Sequence, residues 1–351
     1  MKKALNVFFI DGLGGMAQGL FATLIIGTIL QQTGLLIPGV VGSLLYTIGK
    51  VAASLTGAGI GVGVARKLGA DHLVVASAAT VGMVGAFASS VYSGAIFSNG
   101  VITLAGPGEP LGAFLACFIA IELGMLVSGK SKIDIIITPV VTIISGSLAG
   151  LILGPPISRF MHFIGSLINW GTEQQPFIMG IVVAVLMGMA LTLPISSAAL
   201  AIILNLSGLA AGAATIGCCC NMVGFAVASY RENKFGGLIA QGLGTSMIQI
   251  SNIVRKPLIW LPAILSSAIL GPVGTLVFKM TNNATGAGLG TSGLVGQIMT
   301  FQTMASYEDP VFVMIKIFIM HIILPACLTL AISEGMRKLK WIKNGDMRLD
   351  V

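Results

Sequence analysis

The chain is divided into apolar runs of about twenty residues, and nearly all of its charges sit between them. This pattern constrains the fold more than any motif does. A continuous apolar run of that length covers a bilayer core as α-helix, whereas the strands of a membrane barrel alternate in polarity. Only 9% of the 351 residues are charged, 55% are hydrophobic and the mean hydropathy is +0.98. Soluble domains carry about 25% charge, so a soluble globular fold is excluded. The sequence predicts an all-α polytopic membrane protein of about 8–10 transmembrane helices with re-entrant or broken helical segments.

The net charge of +7 marks topology rather than nucleic-acid binding. Fifteen of the 19 Lys and Arg fall in short clusters, at Lys2/Lys3, Arg66/Lys67, Lys130/Lys132, Arg231/Lys234, Arg255/Lys256 and Arg337 to Arg348. Placing these clusters in the cytoplasm follows the positive-inside rule and puts both termini there. The opening MKKALNVFFID has a short apolar core and no small-residue cleavage site, unlike a signal peptide.

Predicted spans cover 8–30, 39–65, 73–97, 111–128 and 133–153, the last stopped by Gly154-Pro155-Pro156. A helix lying in the outer interface is expected over 157–170. Then come a span over 177–193, a run over 195–229 that leaves and returns, a re-entrant segment over 236–254, and spans over 257–278 and 311–333. The whole reads as one integral membrane domain over 1–351, with halves 1–170 and 171–335 and a basic cytoplasmic tail, 336–351.

Within this frame Thr281 to Gln297, TNNATGAGLGTSGLVGQ, is polar and glycine-rich between two apolar spans. Irregular backbone survives at membrane depth only where protein or a water-filled cavity satisfies it. Thr281, Asn282, Asn283 and Gln297, joined by Ser196, Ser197 and Asn221 beside other breaks, are therefore candidate contacts for a neutral hydroxylated solute. Alanine at Asn282 is expected to abolish solute binding with folding intact. The hexapeptide TGAGIG at 56–61 returns as TGAGLG at 285–290. Paired Gly-interrupted segments of this kind point to a transporter's site and to a possible internal repeat. In the first copy, Gly57, Gly59, Gly61 and Gly63 form two interleaved GxxxG pairs suited to close helix packing.

Ionisable residues inside spans are functional candidates by default: Lys50 and Glu122, expected to pair as a structural lock, and His321, expected as a neutral imidazole bonded to a neighbour. Glu109 and Glu173 stand at span ends and are candidate carboxylates for orienting a sugar. The five cysteines lie in apolar surroundings and read as packing residues. No metal site, cofactor motif, phosphate-binding GxxxxGK[ST] or catalytic set is present, so no catalytic residue is assigned.

The stretches TLPISSAALAI (192–202), LAAGAATIGCCCNMVGFAV (209–227) and TNNATGAGLGTSGLVGQI (281–298) resemble signature stretches of the second enzyme IIC family of the bacterial phosphotransferase system, a group also labelled perfringolysin-regulator-like toxin regulators. The resemblance implies a multi-pass component of the bacterial cytoplasmic membrane. It would carry a sugar or other small polar solute inward while separate IIA and IIB phosphocarrier proteins phosphorylate it. Glucose-type relatives imply a homodimer, and their Gly-Ile-Thr-Glu-Pro motif is matched in part by Gly171-Thr172-Glu173. An ion-coupled transporter using Lys50, Glu122 and His321, or a membrane sensor without transport, are the alternatives.

Overall fold

The computed structural model describes residues 6–98, 101–104 and 106–349; Lys2 and Lys3 lie outside them. It is helical apart from one two-stranded antiparallel hairpin, Phe97–Ser98 with Val101–Ile102. Among the described residues six helices are long and apolar enough to cross a membrane: α1 (Val7–Leu36), α6 (Pro110–Val127), α7 (Asp134–Thr172), α10 (Gly208–Ala228), α13 (Pro257–Val277) and α16 (Pro310–Lys338). A bent pair, α2 (Val40–Ser54) and α3 (Thr56–Lys67), which turn by 55° at Leu55, is apolar enough to make a seventh if the two form one span. Two shorter apolar helices are α4 (His72–Ala86) and α8 (Pro176–Thr192), and α5 (Ala88–Tyr92) precedes the β-hairpin. The polytopic all-α expectation is met. The chain forms two compact units, Met1–Met161 and His162–Val351.

In the first unit the glycines of α3 work as two opposite seams. Gly59 and Gly63 meet the backbone of Gly19 and Gly15 on α1, while Gly57 and Gly61 meet that of Gly82 and Ala78 on α4. A Cβ at any of the four would press into its neighbour, so spacing by four places bare backbone on both faces. The TGAGIG copy is thus regular helix, whereas Gly290 of the second copy is left-handed, at φ +52°.

Two expectations need correction. Proline does not end the fifth span: α7 continues through Pro155 and Pro156 to Thr172, so residues 157–170 prolong it instead of forming a separate helix. Proline's φ near −65° is helical, and what it removes is a backbone donor. An apolar helix in a membrane tolerates that loss. Along α7, Ile136, Val140, Ile144, Leu148 and Ile152 are all exposed at a spacing of four, a stripe suited to lipid. The second correction is the Lys50–Glu122 lock. Both side chains are exposed, and Lys50 lies over the Tyr46 ring at 5.6 Å; among the described residues no ion pair joins it to Glu122.

In the second unit α10 is the axis, and the sequence explains why. LAAGAATIGCCCN presents small side chains all round, and nearly nine-tenths of the helix is buried. Gly217 meets the backbone of Ala184 on α8, and Gly212 meets that of Met280. Cys218, Cys219 and Cys220 are fully buried in these contacts, as packing residues should be.

Residues 340–349 do not trail into solvent. Ile342 and Met347 are buried, and the tail's carbonyls are gripped by amides: Asn233 and Gln249 donate to Met347 O at 2.8 and 3.0 Å, and Asn252 donates to Arg348 O at 2.8 Å. The amides also relay to one another, Asn252 to Gln249, Gln249 to Gln241 and Gln241 to Ser229, at 2.8–2.9 Å.

Candidate functional site

Two contacts fix the direction of the chain around α10. Gly188 of α8 lies on Gly217, and Thr192, one turn on, bonds Asn221, so α8 and α10 run parallel. The connector 193–207 must therefore double back across the unit. It does so as a broken limb: extended backbone at Leu193 and Ser196 either side of a turn at Pro194, then α9 (Ser197–Ile203), then the left-handed Asn205, at φ +47°. Ser196 caps α9 by accepting from Ala199 N at 3.2 Å, and Ser197 Oγ donates to Gly288 O at 2.6 Å.

Two further hairpins enter from opposite ends of α10. The first starts beside Ala228 with α11 (Tyr230–Ile239), turns at 240–249 and returns through α12 (Ile250–Arg255). The re-entrant reading of 236–254 fits this geometry. The second starts at Met280 beside Gly212, turns through α14 (Ala284–Ala287) and Ser292–Leu294, and returns as α15 (Val295–Met304). Their tips pack against each other, residues 240–244 against Ser292–Leu294.

The tips share a sequence signal. The pentapeptide GLGTS occurs at 242–246 and again at 288–292, and in both copies its Thr immediately precedes a 3₁₀ turn that opens on its Ser. Ser246 reaches across to Thr192, Oγ to Oγ1 at 2.8 Å.

The polar residues at this junction fall into two groups. Those of the first are saturated. Asn221, fully buried, accepts from Thr192 Oγ1 at 3.1 Å and Trp260 Nε1 at 2.9 Å, and donates to Gly217 O at 3.1 Å and Ser267 Oγ at 3.5 Å. Asn282 donates to Thr215 Oγ1 at 2.8 Å and Gly296 O at 3.2 Å, and its Oδ1 accepts from Asn283 N at 2.8 Å. Asn283 caps α14 through Gly286 N at 3.1 Å and also approaches Thr303 Oγ1 at 3.5 Å, while the Thr281 hydroxyl meets Tyr307 Oη. These side chains tie the second hairpin to α10 and to itself.

The second group is unsaturated. Six buried side-chain N or O atoms among the described residues lack a hydrogen-bond partner, and three of them, Ser292 Oγ, Gln297 Oε1 and Thr300 Oγ1, lie within 292–300. Gln297 Nε2 donates to Cys219 Sγ at 3.5 Å, an ordinary length for sulfur, and lies 3.5 Å from His321 Nδ1. His321 is buried on α16, and the neighbour expected for it is Gln297. An orphaned buried polar atom costs about 1–3 kcal/mol, so three of them on one short segment call for a partner or another physical reason. None of the three is charged, so the partner they suit is a neutral donor and acceptor such as a hydroxyl.

The carboxylate candidates have other surroundings. Glu173 is exposed in the turn after α7, near Asn169 Nδ2 at 3.5 Å. Glu109, in the first unit, caps α6 by accepting from Leu111 N at 3.4 Å. Sequence reasoning did not single out Thr300, Ser246 or Thr192; the repeated GLGTS points to Ser246 and the i, i+3 relation to Gln297 points to Thr300, while Thr192 shows only through its bonds to Asn221 and Ser246.

A family model described as "Phosphotransferase system, EIIC" matches residues 10–349. The chain belongs to the phosphotransferase system EIIC family. No curated protein matches it. As an EIIC chain it is the multi-pass membrane component of a phosphotransferase sugar-transport system, with a sugar as substrate and IIA and IIB proteins as partners. Among the described residues no His, Cys, Asp or Glu cluster could hold a metal.

Proposed function

We propose that this EIIC chain binds its sugar between the two GLGTS tips, with Ser292, Gln297, Thr300 and His321 turned to the sugar hydroxyls. The observation that carries this reading is the concentration of unpartnered buried polar atoms on 292–300, where no protein group answers them. In this reading Asn221, Asn282, Asn283, Thr281, Ser196 and Ser197 act as the frame that holds the tips in register, and Glu173 and Glu109 stay outside the contact set.

Every site atom is at least nine-tenths buried, so the closed arrangement corresponds to an occluded state. Separating the tips on one side at a time would give alternating access, with irregular backbone exposed only toward a cavity. Phosphorylation is then the work of the IIB partner at the cytoplasmic face. We place both termini there, in the bacterial cytoplasmic membrane, with the exposed stripe of α7 toward lipid and the protein as a homodimer.

The test is uptake of a panel of labelled sugars into vesicles holding the protein, with and without phosphoenolpyruvate and the host's cytosolic phosphotransferase proteins inside. Accumulation of a phosphorylated sugar that requires them, and that Ser292→Ala with Thr300→Val reduces at least tenfold, is expected. Undiminished uptake by that double variant overturns the site.

A further inference from the structure

A second polar feature lies where the tail folds back on the end of α16. Arg231, Arg337, Lys340, Ile342, Lys343 and Asn344 surround an open recess of about 520 Å³, and among the described residues no carboxylate lines it. Lys340 is left-handed, at φ +61°, in the turn after α16, and Lys343 and Arg231 both line the recess.

The cations differ in how far they are neutralised. Arg231 Nη2 pairs with Glu334 at 3.0 Å, and Arg337 Nη2 is held by Glu232 at 3.0 and 3.2 Å and by Ala228 O at 3.1 Å. Arg337 is more than nine-tenths buried, yet its Nε has no hydrogen bond; the nearest carboxylate oxygen, Glu334 Oε1, is 3.8 Å away. Asp346 accepts from the backbone of Lys343 at 2.7 Å and lies 3.9 Å from Lys256. Among the described residues neither Lys340 nor Lys343 has an ion pair. Two uncommitted ammonium groups lining one recess, with the Arg231 guanidinium beside them, make a site for a compact anion with several acceptor oxygens.

We propose that this recess binds a phosphoryl dianion, either on the phosphorylated side chain of the carrier protein or on the phosphorylated sugar as it leaves. The inference rests on the placement of the tail at the cytoplasmic face, where this phosphate is handled. Binding of phosphate here is independent of sugar binding at the hairpin tips.

Calorimetry on the full-length protein in detergent, at low ionic strength, tests it with inorganic phosphate as the probe. Saturable binding is expected, with Lys340→Gln/Lys343→Gln weakening it at least tenfold at unchanged melting temperature. The control Lys67→Gln in the first unit should bind as wild type. No saturable binding, an unaffected double variant, or an equal loss in the control overturns the proposal. Glucose 6-phosphate and the phosphorylated cytosolic carriers, titrated in parallel, distinguish the sources: the one bound at least tenfold more tightly than inorganic phosphate, and weakened by the double variant, supplies the group. Should sugar uptake fail while phosphate binding survives, the reading of the hairpin tips falls and this site stands.

Discussion

Replacing Asn282 by alanine removes three hydrogen bonds at once, those to Thr215 Oγ1 and Gly296 O and the one accepted from Asn283 N. Thr215 keeps its bond to Ala211 O at 2.8 Å, and Gly296 O, inside α15, keeps its helical partner, so the Asn283 N–H is the group left unanswered. At about 1–3 kcal/mol for that orphan, the loss is roughly 1–3 kcal/mol. In a unit of this size each kcal/mol shifts the midpoint by about 2–4 °C, giving a fall of roughly 2–12 °C. Thermal unfolding of the detergent-purified protein, followed by tryptophan fluorescence, measures it. The conservative Asn282→Asp retains the acceptor and should fall less. A melting temperature unchanged within about 1 °C, accompanied by lost sugar binding, would refute the assignment of Asn282 to the frame and return it to the solute.

Other outcomes follow from the same geometry. Gln249→Leu leaves Met347 O, Gln241 Oε1 and Asn252 Nδ2 each short of a partner, so trypsin should cut after Lys343 several-fold faster than in wild type; an unchanged rate would show that the relay does not hold the tail. Gly217→Val drives a side chain into the backbone of Ala184, and the expected result is loss of folded protein on size-exclusion chromatography, since overpacking costs about 1–3 kcal/mol or more where backbone cannot retreat. Asp71 caps α4 through His72 N, and that bond, with Ser128 Oγ and the His72 ring, holds its carboxyl below the ordinary 3.8. Because the folded value is depressed, the cap's contribution is present above that ordinary value and lost as pH falls through the depressed one. The melting difference between wild type and Asp71→Ala should be flat at neutral pH and shrink only in strong acid.

How much of this was legible in sequence depends on which interaction decided each element. Apolar runs bounded by charge located the long helices, and the interleaved glycines of α3 announced two packing seams that the structure uses separately. Breaks at Pro194 and Thr281 were visible because polar and glycine-rich chain is out of place in a membrane. Pro155 and Pro156 misled, since a proline signal is local and the exposed apolar stripe of α7 continues helix through it. The partners of Asn221 and Asn282 were not legible at all. Whether a buried amide faces a solute or is consumed by Trp260 and Thr215 depends on partners 39 and 67 residues away. The amide relay beneath the tail was hidden for the same reason, although GLGTS stood twice in plain view.

The most direct test of the proposed site is sugar binding by Gln297→Leu, measured alongside its melting temperature. Gln297 Oε1 is buried without a partner, so an apolar side chain of similar size relieves a desolvated group. The account predicts at least tenfold weaker binding of the transported sugar together with an unchanged or higher melting temperature. Wild-type affinity in this variant, or lost binding explained by a comparable loss of stability, would contradict it.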